Sequence, residues 1–89
     1  MLLEEFKAIT IYEVEKLKEL FLEALAQVDS LELDMTSVTK VDMVGIQLLI
    51  SLITTAKEEK KTVTFVNISE HVLRLIDESH CTYALGLDG

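Results

Sequence analysis

Proline and tryptophan are absent from the 89 residues, cysteine occurs once, glycine three times, and 8 basic residues stand against 16 acidic ones. Each scarcity excludes something. Without proline, no helix or strand has a residue that must interrupt it. The lone Cys81 forms no internal disulfide, and no Cys/His cluster has zinc-ligand spacing, so neither disulfide nor metal cross-links are expected to hold the fold, and no cofactor is implied. The net charge of -8 repels phosphate backbones and anionic lipid headgroups over about a Debye length, which disfavours direct nucleic-acid and membrane-surface binding. Apolar runs are a few residues long, far below the roughly 20 that cross a bilayer. The start Met1-Leu2-Leu3-Glu4-Glu5 lacks the basic head of a signal peptide, so a cytoplasmic protein is expected.

What is present is the composition of a folded chain, 49% hydrophobic and 27% charged. A chain of this length builds one core and buries about 60% of its unfolded surface, so a single domain over residues 1–89 is expected. A short first strand is placed within Phe6 to Ile11, where β-branched residues gather. From Tyr12 to Val28, the residues Val14, Leu17, Leu20, Phe21, Ala24, Leu25 and Val28 recur at helical spacing, with charged residues on the other side. Leu31-Glu32-Leu33-Asp34-Met35 alternates strictly and predicts a strand, followed by a loop from Thr36 to Val41. Asp42 is suited to cap a helix from Met43 to about Glu59. Thr62 to Val66 is β-prone, and Asn67 and Ser69 precede a helix over Glu70 to Glu78. Helices between successive strands are what parallel crossovers need. The expectation is an α/β fold with a small mixed, largely parallel sheet of about four strands packed by helices.

The helix after Asp42 reads as having two apolar faces. Gly45, Leu48, Leu49, Leu52, Ile53 and Ala56 share an arc that faces a sheet. Met43, Ile46 and Ile50 fall outside that arc, beside Gln47 and Thr54, and three apolar residues in a row among small polar ones predict a surface meant to be covered. Burial within the chain or a homodimer contact would also account for the stripe. The unbranched thioether of Met43 suits a docking role because it adapts to irregular pockets.

Three segments carry a family resemblance: Leu31-Glu32-Leu33-Asp34-Met35, then Val38-Thr39-Lys40-Val41-Asp42-Met43-Val44-Gly45-Ile46-Gln47-Leu48-Leu49, then Val63-Thr64-Phe65-Val66-Asn67-Ile68-Ser69. Together they resemble the STAS family of anti-sigma-factor antagonists from about Ile11 to Leu85. The resemblance implies a non-enzymatic regulatory module whose loop before the second helix, with that helix's first turns, docks on a protein partner. It gives a site of Asp42, Met43, Val44, Ile46, Gln47 and Ile50. In the family the partner is commonly an anti-sigma kinase of the histidine-kinase-like ATPase class, with consequences for transcription. The run Ile46-Gln47-Leu48-Leu49 looks closer to STAS proteins that accompany chemotaxis kinases and response regulators. Other members are subunits of lipid or anion transport systems.

The family's phosphorylated Ser or Thr corresponds to Met43, which cannot accept phosphate. Where the hydroxyl exists, a phosphate of about -1.5 to -2 charge abolishes docking by repulsion and desolvation. A methionine leaves the surface permanently apolar. Thr36, Ser37 and Thr39 are nearby hydroxyls that could substitute, although loops carry such residues for turn formation alone. Asp34 and Asp42 carry over as family acidic positions. An enzyme built on Cys81 with His80 or His71 has little support, because adjacent residues on an extended segment point apart and no oxyanion motif accompanies them. The family often has Gly between the second helix and the next strand; here Glu59-Lys60-Lys61 fills that turn.

Overall fold

Thr10 and Glu13 decide where the first helix begins. In the computed structural model, which describes residues 6–79, 84 and 85, the Thr10 amide and hydroxyl both donate to Glu13 Oε1, and the Thr10 carbonyl accepts from the amides of Glu13 and Val14 at 2.9 and 3.1 Å. The Glu13 carboxylate thus reaches back to the amide of Thr10 three positions before it, which is one half of a capping box. The chain therefore turns at Ile11 and Tyr12. The first strand is accordingly only β1, Ala8–Ile9, and helix α1 covers Val14–Ala26, so both expected elements stop short of this turn.

The remaining elements are β2 (Ser30–Asp34), β3 (Lys40–Val41), α2 (Met43–Glu58), β4 (Thr62–Val66) and α3 (Glu70–Glu78). The α/β class follows from the sequence as expected; the sheet differs. Among the described residues the strands form two parallel pairs, β1 with β3 and β2 with β4, and not one mixed sheet. β3 lies inside the segment expected to be loop. Two residues leave no periodicity to read, and its pairing with β1 is supplied by the tertiary fold.

Strict alternation in β2 does what the pleat requires: Leu31 and Leu33 point inward with Met35 just beyond, while Ser30 and Glu32 face outward. Leu17, Phe21 and Leu25 of α1, Leu49, Leu52 and Ala56 of α2, and Val72 and Ile76 of α3 complete one core with them. Ser69 caps α3 by accepting from the Val72 amide at 3.2 Å.

The end of α2 is a Schellman motif. Lys61 N–H donates to the Ala56 carbonyl at 2.7 Å and Lys60 N–H to Lys57 at 3.1 Å, with Lys60 at φ 60. That left-handed position favours glycine, because a Cβ there crowds the following carbonyl. Lys60→Gly is therefore expected to stabilise the fold by about 1 kcal/mol, read as a higher denaturant midpoint with unchanged slope.

Candidate functional site

Asp42 builds the site from the backbone upward. Its Oδ1 accepts from the Gly45 amide at 2.8 Å, capping α2, while Oδ2 accepts from the Ile11 amide at 3.0 Å. Its own amide donates to the Ile9 carbonyl at 3.3 Å. Desolvation raises its pKa, but the amide hydrogen bonds from Gly45, Ile11 and Val44 outweigh it, so the carboxyl sits below the ordinary aspartate value. The cap is thus ionised at neutral pH and favourably placed at the helix N-terminus. One side chain thereby joins the turn after β1 to the start of α2.

The close approach depends on Gly45. An added Cβ would lie 1.8 Å from the Ile9 carbonyl oxygen and 2.7 Å from its carbon, so only glycine lets α2 pack directly on the backbone of β1. The consequence is that two chain segments with exposed apolar residues start from neighbouring backbone, the Ile11 amide being bonded to the Asp42 carboxylate next to Met43. Ile11 is 58% and Tyr12 91% exposed on one, Met43 49% and Val44 41% on the other. Gln47 extends the surface along α2, where a groove between α1 and α2 is lined by Val14, Lys18, Val44, Leu48 and Ser51.

Of the residues expected at the site, the fold groups Asp42, Met43, Val44 and Gln47 on this surface. Ile46 does not belong to an exposed stripe. It is 2% exposed and lines, with Val41 and Leu75, a notch between α2 and α3. Ile50 is half-buried and packed against the core. The helical wheel assumed one covered arc, whereas α2 meets α1, β3 and β4 and has α3 beside its first turns, which widens the buried face around to Ile46. Leu48 and Ile53, placed on the core arc, are correspondingly half-exposed. A charge at Ile46 would have to be buried, so such a variant tests folding and not docking.

Sequence reasoning missed Ile11 and Tyr12. The Thr10-Ile11-Tyr12-Glu13 spacing was the available signal, since a Thr with a Glu three positions on marks a turn into a helix.

The loop before α2 has structural work for its hydroxyls. The Asp34 carboxylate accepts from both the amide and the hydroxyl of Thr36, which holds the Asp34 carboxyl below its usual range. Thr39 Oγ1 donates to the Lys7 carbonyl at 3.2 Å. Among the described residues no group of three or more His, Cys, Asp and Glu is placed to hold a metal ion. His71 is exposed on α3; His80 and Cys81 lie outside the described residues.

The fold is a small α/β one that presents a capped helix start with exposed apolar residues beside it. The family model described as "Mlab, STAS domain" matches residues 8–82, and the chain belongs to the STAS domain family. Members of this family generally act in regulation and protein–protein interaction, as non-enzymatic binding modules. Among curated proteins no match was found. No helix among the described residues is long and apolar enough to cross a membrane.

Proposed function

We propose that this chain is a non-enzymatic, cytoplasmic regulatory module that docks a protein partner on the surface formed by Ile11, Tyr12, Met43, Val44 and Gln47, in the manner of an anti-sigma-factor antagonist. The single observation that carries this reading is the juxtaposition of two exposed apolar segments, pinned together by Asp42, at the helix start where STAS partners dock. Exposed single apolar residues are ordinary; four on two segments joined by Asp42, one of them aromatic, have the composition of an interface anchor. The partner is an anti-sigma kinase or a chemotaxis-type signalling protein.

Met43 occupies the position of the phosphorylated hydroxyl, so docking is constitutive and is not released by phosphorylation at that position. The same observation favours a second reading, a fixed subunit of a transport complex, where a permanently apolar contact needs no release.

Partner capture followed by backbone amide shift mapping tests the assignment. The expected perturbations centre on Ile11, Tyr12, Met43, Val44 and Gln47. Perturbations confined to α3 and β4 would place the interface elsewhere.

A further inference from the structure

Between them, α1 and α2 form a half-enclosed cavity of about 210 Å³. Its floor is the core side of both helices, where Phe21 is 1% and Leu52 3% exposed. Leu22 and Leu48, less covered, make apolar walls. Lys18, Ser51 and Thr55 complete the lining. Ser51 and Thr55 stand one turn apart on α2, which puts their Cβ atoms about 5–6 Å from each other on one side of that helix, while Lys18 enters from α1.

These three polar groups are uncommitted. A helical Ser or Thr hydroxyl commonly turns back to the carbonyl four residues before it, as Thr54 does by donating to the Ile50 carbonyl at 3.1 Å. Neither Ser51 nor Thr55 makes that bond, and among the described residues the Lys18 ammonium has no hydrogen-bond or ion-pair partner. Glu15, Glu19 and Glu23 are also exposed on α1. Glu15 lines the neighbouring groove, however, and none of the three lines this cavity, so Lys18 is the one charged group in its lining.

We propose that this cavity binds a small apolar monocarboxylate, with the carboxylate held by Lys18, Ser51 and Thr55 and the hydrocarbon body against Phe21, Leu22, Leu48 and Leu52. An apolar pocket with a few convergent polar groups is the form that small-molecule sites take. The polar groups select the head. An ammonium only donates and a hydroxyl can donate, so together they suit a group that only accepts, and an ionised carboxylate is such a group. A single positive charge matches a monoanion; a dianion would leave excess negative charge between apolar walls and near Glu15. The volume selects the body. It is below the roughly 300–1,000 Å³ of sites for drug-sized ligands, so the occupant has about ten non-hydrogen atoms and is not a long lipid chain. The cavity shares no residue with the docking surface proposed at Ile11, Tyr12, Met43, Val44 and Gln47, and the inference does not rest on that surface.

Titration of the full chain with sodium octanoate, followed by backbone amide shifts, tests the assignment. Saturable shifts are expected at Lys18, Leu22, Leu48, Ser51 and Thr55, with a Kd on the order of 1 mM, as suits so small a ligand. Octylamine, which has the same tail and a cationic head, should not saturate the site. Lys18→Met keeps an apolar stem at an exposed position and should weaken octanoate about 10-fold, with an unchanged thermal melt. Thr55→Val keeps the shape and removes one donor, and should weaken octanoate about 5-fold. Absence of saturation, saturable shifts confined to other elements, equal binding of octylamine, or undiminished octanoate affinity in Lys18→Met would each overturn the proposal.

Discussion

The Gly45→Ala variant is expected to lose about 3 kcal/mol of stability despite alanine's better helix propensity. A methyl group there meets the Ile9 carbonyl oxygen at 1.8 Å, and the obstruction is backbone, which no rotamer change relieves. α2 must retreat from β1. That retreat draws Asp42 away from the Ile11 amide, so the hydrogen bond that the Ile11 N–H donates to the Asp42 carboxylate is weakened along with the packing. Urea denaturation followed by circular dichroism reads the loss as a lower midpoint. An unchanged midpoint would show that the contact between α2 and β1 can slide without cost.

Met43→Asp is expected to separate docking from folding. Met43 is the first residue of α2, and a carboxylate in a first helical turn interacts favourably with the helix dipole by about 0.3–1 kcal/mol. The fold should therefore hold or gain. Docking should not, because the substitution removes an adaptable apolar anchor and adds a charge that binding must desolvate. A loss of about 2–3 kcal/mol is expected, roughly 30- to 100-fold in Kd, measured by titration against the captured partner beside a thermal melt of the free variant. Undiminished affinity with an unchanged melt would remove Met43 from the interface.

How much of this was legible in the sequence depends on the range of the forces involved. α3 and β4 keep their expected bounds because their signals are local: Ser69 supplies its cap, and Thr62 to Val66 is β-branched and aromatic throughout. The Asp42 cap is local too. Ile46 was misplaced because helical periodicity says which residues share a face but not how many elements cover the helix, and here the covered arc includes Ile46. β1 and β3 are too short for any pattern, and their pairing is fixed by tertiary contact. The joining of Ile11 to Asp42 is likewise a long-range bond, invisible to spacing rules even though each partner has a readable local role.

Because Asp42 ties the Ile11 amide to the start of α2, the recognition surface proposed above is a discontinuous epitope. A synthetic peptide covering either half would present an incomplete match, and overlapping-peptide arrays would overlook the site. Any partner that reads both halves at once is also inspecting the chain for completed folding, and will ignore copies in which the turn after β1 has not yet met the start of the second helix.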